Sequence, residues 1–144
     1  MSAAQTALRI AGYAALFDVR DAGRDVIRPG AFFRTLRERR LDLSGTGRDP
    51  LPLYWQHRPD QRVGWVQAAS EDARGLRVTA SIDNPEGGAA AAVLRGAVSG
   101  LSFGYRVRAA TRDAAGRELL DVDLIEVSLV THPMQHAARI HLVQ

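Results

Sequence analysis

Hydrophobic and polar residues alternate along several short stretches of this chain, a pattern typical of half-buried β-strands. Clusters of glycine, proline, aspartate and asparagine separate most of these stretches and predict turns between them. The predicted strands are 8–17, 26–27, 51–56, 62–69, 75–82, 101–110, 119–131 and 137–143. The pattern therefore predicts seven or eight strands, two of which (62–69 and 75–82) form a hairpin.

Two segments have the spacing and start signals of helices. The segment 29–40 opens with a Pro-Gly pair, and its predicted buried stripe is Phe32, Phe33 and Leu36. The segment 84–98 begins with asparagine and proline, a typical helix start, and continues through a run of alanines.

The order of these elements predicts one domain over residues 1–144, with neither a repeat nor a linker. At this length, many strands and two helices favour a closed antiparallel β-barrel with helices packed outside it. The segment 41–50 is rich in glycine, serine and proline, and is predicted to be a loop.

Composition excludes several classes of function. There are no cysteines, so disulfides, thiolate catalysis and zinc–thiolate sites are excluded, and an intracellular protein is favoured. The sequence has no apolar run of about 18 residues, so no transmembrane helix is expected. The first residues lack a basic region before an apolar stretch, so no signal peptide is expected.

Net charge is +3, and all 19 basic residues are arginine. Many of these arginines stand next to acids, and the densest group lies at positions 34, 37, 39 and 40 of the first predicted helix. Phosphate is bound by a local cluster of positive charge and not by the total charge of the chain. The scattered arginines therefore argue against a nucleic-acid partner. An arginine-rich nucleic-acid-binding barrel is kept as an alternative.

Three residues are candidates for chemistry. His57 ends the strand LPLYWQH, where the alternation places it on the apolar face of Leu53 and Trp55. Ser102 shares a strand face with Gly104, whose missing side chain is predicted to leave space beside the hydroxyl. The string GLSFG matches G-x-S-x-G, but a helix precedes it and a strand follows, unlike a nucleophile elbow.

Glu126 is the third candidate, because it stands in a strand row that is otherwise mostly apolar. A buried carboxylate without a partner is costly, so Glu126 needs either an arginine or a histidine N–H. Each of the three residues also has a purely structural reading. Together they make the complement of a serine hydrolase triad, in which histidine takes the serine proton and the acid orients the histidine.

Four segments resemble the prohead serine proteases of tailed phages and of related gene transfer agents, in the same order along nearly the whole chain. They are GYAALFDV with DVIRPGAFFRTL (12–36), PLYWQHRPDQRVGWV (52–66), AVSGLSFGYRV (97–107) and VDLIEVSLVTHPMQHAARI (122–140). The resemblance implies a herpesvirus-protease-like barrel, and implies His57 as base, Ser102 as nucleophile and Glu126 as third member. His132 competes with Glu126 for its role, and Ser99 competes with Ser102.

The resemblance also implies a serine endopeptidase of capsid maturation that needs no cofactor or metal. Its implied substrates are the scaffold or the N-terminal segment of the major capsid protein, inside the immature capsid in the host cytoplasm. A homodimer is a further expectation, and no membrane partner is expected. The alternative is a non-catalytic β-barrel protein of capsid assembly with the same fold.

Overall fold

The structure is a computed structural model that describes residues 7–41 and 51–144. Most of the predicted loop 41–50 therefore lies outside the described residues. The strands are β1 (Leu8–Leu16), β2 (Asp25–Ile27), β3 (Leu51–Trp55), β4 (Arg58–Glu71), β5 (Gly75–Ile82), β6 (Gly100–Asp113), β7 (Gly116–Val130) and β8 (Ile140–Val143). The helices are α1 (Phe33–Arg39) and α2 (Gly88–Leu94).

All eight strands belong to one curled sheet, in the order β2-β7-β3-β4-β5-β1-β8, with β6 on the remaining edge of β7. Strand β7 organises the sheet because β6 pairs along its whole length on one side. On its other side, β2 pairs near its start and β3 near its end, and both of these pairings are parallel. The mostly β architecture with few helices is as predicted, but the sheet is not purely antiparallel.

The prediction of a closed barrel is wrong, because the sheet curls into an open half-barrel. The closing segment makes a single bridge to β6, between Gly100 and Arg139, and then pairs with β1. Strand β8 has only four residues, too few to join β6 to β1 along their length.

A glutamine side chain occupies part of this opening. Gln135 is buried, and its amide accepts from the backbone N–H of Leu16 at 2.6 Å and donates to the carbonyl of Leu16 at 2.8 Å. The amide also donates to the carbonyl of Val19 at 3.2 Å. The side chain thus satisfies backbone groups at the end of β1 that a neighbouring strand would otherwise pair.

The core lies inside the curl and is built mainly from leucine, valine and isoleucine of the strands. Phe32 of the predicted helical stripe is fully buried and packs edge-on against Phe103 with ring centroids 5.2 Å apart. Leu36 is buried too, but Phe33 is 68% exposed, so its predicted burial is wrong. Residues 32 and 36 share a helix face, whereas residue 33 is turned about 100° away from residue 32.

Helix α2 begins later than predicted. The side chain of Asn84 accepts from the backbone N–H of Glu86 at 3.1 Å, so it caps a separate turn before the helix. The helix itself starts at Gly88, after an N-cap at Gly87. The competing local turn is the usual way in which asparagine interrupts regular structure.

A β-bulge in β7 changes which face its side chains occupy. Gly104 pairs with Glu126, but the next residue of β6, Tyr105, pairs with Leu124, so Ile125 is an extra residue. Neighbours on β6 point to opposite faces, and paired residues share a face. Leu124 therefore lies on the core face with Tyr105, while Glu126 lies on the outer face with Gly104. The mostly apolar row in which Glu126 was predicted to stand is therefore broken at this bulge.

Candidate active site

His57 lies in a tight turn rather than at the end of a strand. Strand β3 ends at Trp55, which pairs with Arg58, so Gln56 and His57 form a two-residue hairpin turn. Both have positive φ, 53° and 61°, as a type I′ turn requires. The predicted continuation of the apolar face to His57 is therefore wrong. Strand β4 begins at Arg58, four residues before the predicted strand 62–69.

The turn delivers the His57 ring to Glu126. The Nδ1 atom of His57 lies 2.6 Å from Oε2 of Glu126. The side chain of Glu126 is only 9% exposed, whereas that of His57 is 41% exposed. The buried carboxylate thus has a histidine partner, one of the two partners expected from the sequence.

Ser128 completes this contact from the next outward-facing position of β7. Its hydroxyl donates to Oε1 of Glu126 at 2.7 Å and accepts from the backbone N–H of His57 at 3.1 Å. No role was predicted for Ser128 from the sequence. The available signal was the Glu-x-Ser spacing, which places two polar side chains on one face of an otherwise apolar strand.

The Glu126 carboxylate sets the proton chemistry of the imidazole. Its hydrogen bond raises the pKa of His57 above the ordinary 6.5, while partial burial of the ring opposes this shift. A carboxylate can only accept, so neutral His57 carries its proton on Nδ1 and leaves the Nε2 lone pair free. That tautomer is the one a general base needs.

Ser102 lies beside this pair on the neighbouring strand. It pairs directly with Ser128, so the two side chains share the outer face, with Cβ atoms about 4.5–5.5 Å apart in such a pair. Ser102 is only 3% exposed. Among the hydrogen bonds of residues 7–41 and 51–144, none joins Ser102 to His57.

The reason for glycine at position 104 differs from the one predicted. A Cβ atom built there would overlap the Glu126 carboxylate, with Cδ at 2.9 Å and Cγ at 3.0 Å. The space beside Gly104 is therefore filled by the acid and is not left open for a substrate. Glycine leaves room at position 104 for the Glu126 carboxylate that contacts His57.

The two competing residues have different surroundings. His132 is exposed, and it has no hydrogen-bond or ion-pair partner within the described parts of the chain. Ser99 lies just before β6, and its hydroxyl accepts from Nη1 of Arg139 at 3.0 Å. Among the described residues, no hydrogen bond or ion pair joins either of them to Glu126 or His57.

Two further observations concern metals and membranes. In residues 7–41 and 51–144, no three histidine, cysteine, aspartate or glutamate side chains come together as a metal site. No helix in the described part of the chain is long and apolar enough to cross a membrane.

Comparison with known proteins gives this geometry a context. The family model described as "Caudovirus prohead serine protease" matches residues 1–144. The chain belongs to this family. The resemblance inferred from the sequence is thereby confirmed. Within the curated proteins, the prohead protease of Enterobacteria phage HK97 is 29% identical over 136 residues, covering 90% of this chain and 57% of the HK97 protein.

The fold of this family member is shared with herpesvirus proteases, as expected. A KSHV protease crystallised with a hexapeptide phosphonate inhibitor matches 96% of this chain with a TM-score of 0.62 and 16% identity. The varicella-zoster virus protease matches 94% with a TM-score of 0.55 and 18% identity. The chain spans less than two thirds of these relatives, 65% and 63% of the two structures.

Proposed function

We propose that this protein is a serine endopeptidase of capsid maturation in which His57, Ser102 and Glu126 act together. The observation that carries the proposal is the 2.6 Å contact between His57 Nδ1 and Glu126 Oε2. It lies on the face to which Ser102 also belongs, across one strand pair. Membership of the prohead protease family supports the reaction class.

The proposed reaction is acyl transfer through Ser102. The Oγ atom attacks the peptide carbonyl carbon while Nε2 of His57 accepts the hydroxyl proton. The imidazolium, stabilised by Glu126, then gives that proton to the leaving amine as the peptide bond breaks. Water hydrolyses the acyl-enzyme, with His57 again as base, and releases the second product. Because Ser102 is 3% exposed, a substrate must displace side chains that cover it.

The proposed substrates are the scaffold protein or the N-terminal segment of the major capsid protein. The setting is the interior of the immature capsid in the host cytoplasm, for a phage or a gene transfer agent. The support is membership of a family described as prohead proteases. Co-expression with the cognate capsid protein, followed by mass analysis of its N-terminus, tests this part.

Labelling with a peptide phosphonate ester, a serine-reactive probe, tests the chemistry directly. We expect one adduct, mapped to the peptide that contains Ser102, and none in Ser102→Ala. Ser99→Ala is the matched control, because Ser99 lies three residues away and its hydroxyl bonds to Arg139; it should label normally. Labelling that persists in Ser102→Ala and disappears in Ser99→Ala would reassign the nucleophile.

A non-catalytic capsid-assembly protein is the second candidate. The burial of Ser102, and the missing hydrogen bond between Ser102 and His57 in the described residues, favour it. Catalytic hydrogen bonds are often long before substrate binds, so this geometry does not exclude an enzyme. If the wild-type protein cleaves neither the capsid protein nor the scaffold while capsids still assemble, the second candidate is correct. If the protein is an enzyme, Ser102→Ala should lower the cleavage rate on the order of 10⁴-fold while the variant stays folded.

The proposal includes a homodimer. Phe33 is the most exposed of the large apolar side chains described, and it lines a groove of about 240 Å³ with Leu36 and Glu71. Sedimentation of the wild type and of Phe33→Ser tests this: a dimer that weakens in the variant supports the face. A monomer at high concentration in both proteins rejects the dimer.

A further inference from the structure

Ser128 is a fully buried polar residue that touches both members of the His57–Glu126 pair. Its relative exposure is 0%, and it lies on β7 two residues after Glu126. The hydroxyl makes one contact as a donor, to Oε1 of Glu126, and one as an acceptor, from the backbone N–H of His57. The two contacts use different parts of the hydroxyl group, so they form at the same time.

The contact with Glu126 fixes how the carboxylate is rotated. With Oε1 held by the Ser128 hydroxyl at 2.7 Å, Oε2 is the oxygen that faces Nδ1 of His57 at 2.6 Å. Without this donor, the carboxylate could rotate about its terminal bond, whose preference is broad. The bond from Ser128 to Oε1 therefore keeps Oε2 in position to accept from Nδ1 of His57.

The contact with His57 fixes the backbone from which the imidazole projects. His57 has φ of +61°, a conformation that is uncommon for residues other than glycine, although histidine adopts it more often than most. Its N–H would lack a protein acceptor if the Ser128 hydroxyl were removed. A shift of about 1 Å in a reacting group can cost about 10²-fold in rate, so both restraints bear on catalysis.

We propose that Ser128 is a positioning residue that aligns the His57 ring and the Glu126 carboxylate. This inference rests on the proposed function, since it assigns a role in the reaction of His57 and Ser102. Ser128 itself does not exchange a proton with the substrate. It acts by joining the carboxylate of β7 to the turn between β3 and β4.

Ser128→Ala tests the inference through kinetics and through the His57 pKa. We expect kcat to fall about 10²-fold with KM unchanged, because alignment rather than substrate binding is lost. NMR titration of the imidazole should find the pKa of His57 closer to 6.5 than in the wild type, since the bond that raises it loses its alignment. Ser81→Ala removes another buried serine hydroxyl, on β5 away from the site, and should change neither quantity.

Three additional variants keep the outcomes distinct. Ser128→Cys retains a side chain of similar size with a weaker donor, and should fall between the wild type and Ser128→Ala in kcat and in pKa. It replaces Ser128→Ala as the test if circular dichroism finds the alanine variant unfolded. Glu126→Gln and Ser102→Ala, assayed in parallel, report on the proposed function itself.

The inference is overturned if Ser128→Ala keeps the wild-type kcat and His57 pKa while Ser102→Ala and Glu126→Gln lose activity. In that case the proposed function stands and Ser128 only fills space. A lower melting temperature with unchanged kcat and pKa would likewise reduce Ser128 to a structural role. If Ser102→Ala and Glu126→Gln remain active, the proposed function fails instead.

Discussion

At the residue scale, one contact has opposite consequences for stability and for catalysis. Glu126 raises the pKa of His57 in the folded protein. Their pairing therefore contributes its full stabilisation of the folded state at pH values below the pKa of His57 in the unfolded chain, near 6.5. This contribution is lost as pH rises through the higher folded pKa. A general base must be neutral, so the proposed activity appears over the range in which the stabilisation is lost.

Glu126→Gln tests this relation. A neutral amide cannot favour the imidazolium, so the pKa of His57 should fall towards 6.5 and the acid limb of kcat/KM should move to lower pH. The maximal rate should fall by about 10³- to 10⁴-fold, as for loss of the acid in a triad. Glu86→Gln, at an exposed site before α2, is the control and should leave the profile unchanged. An acid limb that stays in place would mean that Glu126 does not set the His57 pKa.

Gly104→Ala tests whether the acid depends on the space at position 104. An added Cβ would overlap the Glu126 carboxylate, which must then move and weaken its bond to His57. We expect cleavage to fall about 10²-fold or more, with the His57 pKa nearer 6.5. Gly88→Ala is the control, because a Cβ there meets nothing within 4 Å and helix propensity favours alanine by up to about 1 kcal/mol. A His57 pKa unchanged by Gly104→Ala would show that Glu126 does not need this space.

At the element scale, the sequence located most strands but not the turn that carries His57. Alternation and turn residues mark where strands run, and the eight predicted strands overlap the eight observed ones. The Gln56-His57 turn has none of the glycine or asparagine signals that predict a type I′ hairpin. Its geometry is held instead by contacts from β7, such as the bond from Gln56 N–H to the Leu129 carbonyl at 2.9 Å.

Gln56→Val tests whether stability and cleavage depend on the positive φ of this turn. A β-branched residue is strongly disfavoured at a φ of +53°, so we expect about 1–2 kcal/mol less free energy of unfolding, measured in urea. Cleavage should fall as well, because His57 follows directly in the turn. Gln67→Val makes the same change within β4, where φ is not positive, and should leave both quantities near the wild type. Equal stability of the two variants would contradict the turn geometry.

The sequence predicted the members of the candidate site but not the way in which the fold brings them together. Residue type and burial cost led to His57, Ser102 and Glu126, and the structure brings His57 and Glu126 into contact. The bulge at Ile125 was missed, because an extra residue is defined only by the pairing between β6 and β7. Ser128 was missed because one of its two partners, the backbone N–H of His57, belongs to a turn that is distant in sequence.

At the scale of the whole molecule, closure of the sheet was the part of the fold that could not be predicted. Strand count favours a barrel, but closure depends on whether the first and last strands meet along their length. Here β8 is short, and the chain before it makes one bridge to β6. The side chain of Gln135 covers backbone groups of β1 near this opening.

Gln135→Leu tests the contribution of that side chain. Leucine fills similar space but leaves the buried N–H and carbonyl of Leu16 without the amide partner. We expect the free energy of unfolding to fall by about 2–4 kcal/mol, measured by urea denaturation. Gln61→Leu, at an exposed position of β4, is the control and should change stability by less than about 0.5 kcal/mol. Similar losses in both variants would mean that the opening does not depend on Gln135.

The extra residue Ile125 is a point in β7 at which the chain could lose a residue without turning any other side chain to the opposite face. Deleting it would make Leu124 and Glu126 direct neighbours, and neighbours on a regular strand point to opposite faces. Leu124 would stay in the core, Glu126 and Ser128 would stay on the outer face, and the ladder to β6 would become continuous. The proposed site should therefore tolerate the loss of this one codon, as well as many substitutions of Ile125, which is 41% exposed.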